Sequence, residues 1–252
     1  MMTSITRRSL IGGIAVGSAS VLGLPLAALA EDQPPAKGSL KAVIVGGHPD
    51  DPESGCGGTM ARLADGGHDV VAIYLTRGEA GIRGKAADEA AQIRSAEAAE
   101  ACRILKVRPI FAGQIDGATE LNAARYEAFA KMLLAEKPDL VFTQWPIDTH
   151  RDHRAASLLT FDAWHRAGQK FALYYYEVDA GYQTTMFRPT HYVDITSVEE
   201  RKRAACMAHK SQDPQGFYGI HSRMHDFRGL EHGCKYAEAF VHHNQSRVVG
   251  LP

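Results

Sequence analysis

Hydrophobic and polar positions change their spacing several times along the chain. Lys41–Gly47 is a continuous apolar run of strand length. Ser54–Asp65 has helical spacing and stops on Gly66-Gly67. Asp69–Thr76 reads as a second strand, Ala86–Lys106 as a long helix rich in Ala, Glu and Arg, and Pro109–Ala112 as a short third strand. Ala123–Glu136 reads as a helix, Asp139–Gln144 as a fourth strand, His153–Ala167 as a helix and Phe171–Val178 as a fifth strand. His191–Ile195 adds a sixth strand and Ser197–His209 a further helix. The roughly forty residues at the C-terminal end, rich in Gly, His and Phe, read as irregular. Strands that are apolar throughout, rather than alternating, fit a parallel sheet covered on both faces. Their alternation with helices implies right-handed strand–helix–strand units. The expected fold is therefore α/β: a Rossmann-like, doubly wound, mainly parallel sheet with helices on both faces.

The first thirty residues stand apart from this pattern. Thr6-Arg7-Arg8-Ser9-Leu10 precedes an apolar, Gly/Ser-rich stretch that ends in Ala28-Leu29-Ala30. A basic start, an apolar middle and a small-residue cleavage site make a signal peptide, and the paired arginines point to the twin-arginine route. The competing reading, a membrane anchor, needs about 20 mainly apolar residues, and this stretch is short and interrupted by Gly and Pro. The expected organisation is a twin-arginine signal peptide over residues 1–30, a linker over 31–40 and a single domain over 41–252. That implies export to the periplasm, with the twin-arginine export machinery as a partner.

Composition is that of an ordinary globular protein, with 45% hydrophobic and 23% charged residues. Without the leader's two arginines the chain carries 26 basic and 29 acidic residues, a net of −3. This excludes the basic footprint of a nucleic-acid binder. Cys56, Cys102, Cys206 and Cys234 form no C-x-x-C pair. Export would permit two bridges, but Cys102 and Cys206 fall in helix-like segments, where a buried thiol acts as a small hydrophobe. No bridge is assigned.

Two clusters carry the chemistry. His48-Pro49-Asp50-Asp51 follows the first strand, and His150-Arg151-Asp152-His153 follows the fourth. In a sheet ordered 3-2-1-4-5 the ends of strands one and four form the switch-point crevice where ligands bind. With Pro49 at the second position of a β-turn, His48 and Asp51 converge on one ion while Asp50 projects separately as a base. Thr149 can cap the next helix with Asp152 three residues on. His150 and His153 then share a face, one as a ligand and the other turned to the reacting group. Two imidazoles and a carboxylate leave an open coordination position, as in catalytic zinc sites. The same donors form the facial triad of non-haem Fe(II) oxygenases, and an exported sugar-binding protein with a vestigial metal site is a third reading.

The motifs also carry a resemblance. His48-Pro49-Asp50-Asp51 with Gly55-Cys56-Gly57-Gly58-Thr59 resembles the opening of the PIG-L/LmbE-like zinc-dependent N-acetylglucosamine deacetylases. Thr76-Arg77-Gly78-Glu79-Ala80-Gly81, Ile93-Arg94-x-x-Glu97-Ala98 and His150-x-Asp152-His153 follow in the same order, with weaker echoes at Ala208–Gln212 and Ala237–Phe240. The resemblance implies a Rossmann-like hydrolase that removes N-acetyl groups from N-acetylglucosamine-type sugars or sugar conjugates. It implies a Zn2+ ion, or another divalent metal, on His48, Asp51 and His153. Asp50 would be the general base, and His150 would stabilise the oxyanion and protonate the leaving amine. Arg94 would contact substrate, with Arg83 on a Gly-flanked loop as a weaker candidate. Against this stands an Arg94–Glu97 pair at i, i+3, as common on a helix as a substrate contact. Pro52, placed before Glu53, departs from the family pattern and reshapes the turn. The glycines at 55, 57 and 58 do not form G-x-G-x-x-G and follow an acidic turn, which excludes nucleotide binding. Seven of the twelve histidines lie beyond residue 190. They read as scattered polar loop residues, His221 and His225 included, with His209 at most a candidate for the mouth of the cleft.

Overall fold

Seven strands form one sheet in the order β3-β2-β1-β4-β5-β7-β6. They are β1 Lys41–Gly46, β2 Asp69–Thr76, β3 Arg108–Gln114, β4 Leu140–Gln144, β5 Ala172–Tyr176, β6 His191–Asp194 and β7 Ala237–His242. The helices are α1 Asp51–Asp65, α2 Ala87–Leu105, α3 Ala123–Ala135, α4 Arg151–Arg166, α5 Glu199–Met207 and α6 Pro214–His232. This computed structural model describes residues 38–252. The expected signal peptide and residues 31–37 of the linker lie outside the described residues. Among the described residues no helix is long and apolar enough to cross a membrane.

The first five strands are parallel, and Val43 of β1 sits opposite Val71 of β2 and Val141 of β4. Their apolar runs are explained by burial on both faces. Ile44, Tyr74 and Phe142 pack against Met60 of α1, Ala98 of α2 and Ala205 of α5. Val43, Ile73 and Val141 pack against Leu133 of α3 and Leu159 and Trp164 of α4. The five-strand order is the one expected from the fold class. β7 then runs antiparallel between β5 and β6, and β6 forms that edge of the sheet.

Two regions differ from expectation. The C-terminal end is not irregular: it contains the 19-residue α6 and the strand β7. Three glycines and few strong helix formers hide α6 in the sequence. Tertiary contacts hold it instead, among them Arg228 donating to both carboxylate oxygens of Glu177 at 2.6 and 2.9 Å. The first helix begins at Asp51 rather than Ser54, because proline is tolerated in a first helical turn, where its missing N–H has no partner to lose.

Behind the start of α1 lies a buried ionic cluster. Glu238 of β7 accepts from the backbone N–H of Gly58 and Thr59 at 2.8 and 2.7 Å and from the Thr59 hydroxyl at 2.6 Å. The fully buried Lys202 of α5 donates to Glu238 and stands 2.8 Å from His225 Nε2. The glycine-rich start of α1 serves close packing: a Cβ on Gly55 would lie 2.3 Å from the Tyr176 ring. All four cysteines are free.

Candidate active site

The parallel topology brings the β1–α1 turn and the β4–α4 turn to the same end of the sheet. The first is a β-turn in which Asp51 N–H donates to the His48 carbonyl at 3.3 Å. Pro49 supplies its second position and Asp50 the third, at φ 112. That geometry turns the Asp50 carboxylate away from that of Asp51. His48 N–H donates to Asp51 Oδ2 at 2.7 Å, closing the turn around the carboxylate.

Two imidazoles face this carboxylate. His48 Nδ1 lies 3.2 Å from Asp51 Oδ2, and His153 Nε2 lies 3.3 Å from Asp51 Oδ1. The outer nitrogen of each ring meets another acid. His48 Nε2 is 3.1 Å from both Asp152 and Asp116, and His153 Nδ1 is 3.2 Å from Asp148. Those acids are themselves anchored. Asp152 accepts from Gly117 N–H and the Thr119 hydroxyl at 2.7 and 2.6 Å, and Asp148 from His150 N–H and the Thr184 hydroxyl at 2.7 and 3.0 Å. A carboxylate behind each histidine is the arrangement that orients imidazole ligands and makes them more basic.

Electrostatics follow from this crowding. Burial opposes protonation of His48, yet Asp116, Asp152 and Asp51 hold it well above the ordinary histidine range. Burial likewise opposes the charge on His153, but Asp51 and Asp148 raise it to about 9. Burial favours the neutral form of Asp51, and the two imidazoles overcome this and hold it well below the ordinary carboxylate range. One buried carboxylate held between two cationic rings is a donor set whose protons a divalent cation can replace. His48 Nδ1, Asp51 and His153 Nε2 are donors of the kind a divalent metal takes, and His48, Asp116 and Asp152 also bring ligand atoms within 4.8 Å of one another. His48, His150 and His153 also bring one nitrogen each within 4.8 Å of one another. His150 stacks on His153 at 4.7 Å between ring centroids.

His150, rather than Thr149, caps α4. Its Nδ1 accepts from Asp152 N–H at 3.3 Å, which leaves Nε2 to carry the proton of the neutral ring. Burial, with His48 and His153 nearby, lowers its pKa. Asp50 meets Arg94, whose Nη2 donates to Asp50 Oδ2 at 2.8 Å and to the Pro49 carbonyl at 2.5 Å. Burial raises the Asp50 pKa, and Arg94 restrains the rise. The expected alternative partner of Arg94 is engaged elsewhere: Glu97 accepts from Ser211 N–H and hydroxyl at 2.8 and 2.7 Å.

These groups open onto a cleft of about 480 Å³ whose lining includes His48, Asp50, Asp51, Arg94, His150 and His153. Arg83 is exposed and does not line it. The Gly78–Lys85 loop instead turns that side chain outward, with Lys85 N–H bonded to the Ile82 carbonyl at 3.2 Å. His209 is buried 3.3 Å from Glu53, behind Asp50, and not at the mouth. Asp116 and Asp148, single loop acids, were not expected at the site. From the sequence, Asp152 is expected only as the capping partner of Thr149; in the structure it backs His48 Nε2 at 3.1 Å.

Comparison with known proteins gives this geometry a context. The PIG-L family profile, described as GlcNAc-PI de-N-acetylase, matches residues 43–164. A diacetylchitobiose deacetylase of Thermococcus kodakarensis is 32% identical over 196 residues, which is 71% of this chain and 73% of the relative. The chain belongs to the PIG-L family. A solved structure of a conserved protein from Thermus thermophilus is 33% identical to this PIG-L protein, with a TM-score of 0.71, covering 84% of this chain and 98% of the other. The diacetylchitobiose deacetylase of Pyrococcus horikoshii, solved with an inhibitor, is 25% identical with a TM-score of 0.72, covering 83% of this chain and 85% of the other. This PIG-L member is accordingly a hydrolase of the deacetylase class, acting on amide carbon–nitrogen bonds. That assignment sets the oxygenase and binding-protein readings aside.

Proposed function

We propose that this PIG-L protein is an exported zinc enzyme that removes the N-acetyl group from an N-acetylglucosamine-type sugar or sugar conjugate. The observation that carries the reading is the pair of imidazoles, each backed by a carboxylate, turned onto the two oxygens of Asp51. The relatives named as diacetylchitobiose deacetylases support the substrate class. The Arg7-Arg8 leader supports export through the twin-arginine machinery to the periplasm.

His48, Asp51 and His153 would hold the ion. When bound, the ion acidifies a water molecule and polarises the acyl oxygen. The remaining groups divide the proton work. Asp50 Oδ2 is engaged by Arg94, so Oδ1 is the atom that takes the proton of the attacking water and passes it to the departing nitrogen. His150 donates from Nε2–H to the acyl oxygen as it gains negative charge, because its Nδ1 is committed to the Asp152 N–H. Arg94 fixes the base in place and lines the substrate cleft.

The test is acetate release from N-acetylglucosamine and diacetylchitobiose by the purified protein, before and after chelation and after zinc is restored. The expected result is release that is lost with the metal and recovered with zinc. A metal-loaded protein that frees no acetate from any N-acetylated sugar would overturn the reading.

A further inference from the structure

The two walls of the cleft have different origins. The wall that carries the reacting groups comes from residues inside the 43–164 family match, ending with His153. The facing wall comes from beyond it: Asp179 and Gln183 from the segment after β5, Gln212 from the short 3-10 turn before α6, and Phe217 and His221 from the N-terminal half of α6.

That second wall is built rather than loose. Asp179 takes φ 43, and its carbonyl accepts from Tyr182 and Gln183 N–H at 2.9 and 2.8 Å in a tight turn. Asp179 Oδ2 accepts from Gln183 Nε2 at 3.2 Å, and Oδ1 stands 3.2 Å from His221 Nε2. His221 is only 1% exposed, and its Nδ1 has no protein partner; Gln183 Oε1 has none either. The turn is pinned to the β4–α4 segment that bears the histidines. Thr149 N–H donates to the Gln183 carbonyl at 3.1 Å, and Thr184 donates to Asp148 at 3.0 Å.

A carboxylate and a half-buried aromatic ring lining the same wall of the cleft suit a polyhydroxylated ring. Hydroxyls can donate to Asp179, a charge-assisted contact, while the C–H face of the ring lies on Phe217. Asp179 is the one carboxylate of this wall, and no Lys or Arg lines it. An anionic group placed there meets repulsion and no counter-charge, whereas an amine meets a partner.

We propose that Asp179, Gln183, Phe217 and His221 form a second sugar subsite. It receives an uncharged or amine-bearing sugar unit joined to the N-acetylated one and excludes phosphorylated or carboxylated units. This rests on the deacetylase reading above and adds the part that selects among N-acetylated sugars.

The test compares kcat and KM of the metal-loaded protein on N-acetylglucosamine, diacetylchitobiose and N-acetylglucosamine 1-phosphate, for wild type, Asp179→Ala and Asp179→Asn. Wild type is expected to favour the disaccharide over the monosaccharide by about tenfold or more in kcat/KM, with the phosphate poorest. Asp179→Ala cuts the disaccharide-to-monosaccharide ratio by about tenfold, mainly through KM. Asp179→Asn keeps the side-chain shape and tolerates positive φ, so it answers the question if the alanine variant misfolds. It is expected to raise the relative rate on the phosphate by about tenfold. Ratios unchanged in both variants overturn the subsite. If wild type releases acetate from none of the three, the deacetylase reading fails. The subsite is then judged by calorimetric titration with chitobiose, the disaccharide lacking acetyl groups. About tenfold weaker binding to Asp179→Ala supports it, and equal binding overturns it.

Discussion

Arg94 donates from a single nitrogen to both the Asp50 carboxylate and the Pro49 carbonyl, so one buried guanidinium fixes a side chain and the turn that presents it. The strained third position of that turn, φ 112 at Asp50, is thereby held from outside the turn. The proposed base is thus held in place by the protein's own contacts.

Replacing Asp50 by Ala is expected to lower turnover by about 10²-fold or more while leaving the metal bound, because Asp50 is the proposed base and not one of the proposed ligands. Acetate release and metal analysis on the same sample check this. Loss of metal along with activity would reassign Asp50 as a ligand.

Gly81 tests whether the position of Arg94 matters. A Cβ there would lie 2.3 Å from Arg94 Nη1, so Gly81→Ala must displace the guanidinium. Turnover is expected to fall about tenfold or more with metal content unchanged, the usual result of moving a catalytic group slightly. Unchanged turnover would mean that Asp50 does not depend on Arg94.

Asp148 lies 3.2 Å from His153 Nδ1 and is not one of the proposed metal ligands. Asp148→Ala is expected to weaken metal affinity by roughly 10–100-fold, as loss of an orienting partner does elsewhere. A competition titration with a metal indicator reads it. An unaltered affinity would show that His153 is oriented by the fold alone.

The expected segments between β1 and β5 could be read from the sequence because one physical cause dominates each. Burial on both faces makes the strands apolar throughout, and proline at the second position of the His48–Asp51 turn dictates which acid faces inward. The remainder depends on contacts between distant residues. α6 has little intrinsic helical preference, and β7 carries the buried Glu238, a charge that makes sense only beside Lys202. Asp116, Asp148 and Asp179 are solitary loop acids with no spacing to set them apart from surface acids. Thr149 looked like a helix cap, but His150 occupies that position because its Nδ1 reaches the Asp152 N–H.

Lys202→Met removes one half of a buried ion pair and leaves Glu238 charged in the core. Destabilisation of about 3–5 kcal/mol is expected, measured by urea unfolding of the metal-loaded protein. The double variant Lys202→Met/Glu238→Gln should recover part of the loss. A single variant as stable as wild type would show that the backbone donors of α1 satisfy Glu238 unaided.

His225 predicts a pH dependence. Burial, then Lys202 and His221, depress its pKa well below the ordinary histidine range. The unfolded chain therefore binds a proton there that the folded chain refuses. The stability from this group is complete above about pH 6.5 and falls as pH drops below that value toward the depressed folded pKa. His225→Gln should flatten the acid side of the stability curve by one proton's slope. An identical slope in the variant would remove His225 as the cause.

The Glu238 contact with the backbone of α1 has a consequence for re-engineering. It fastens the segment that supplies the second wall of the cleft to the helix that opens with Asp51. A chimera that imports the stretch from Val178 to Phe240 from a relative with another glycan preference must therefore bring an acid at 238 and a lysine at 202. With that fastening kept, selectivity can be exchanged as a cassette while the reacting groups stay in register.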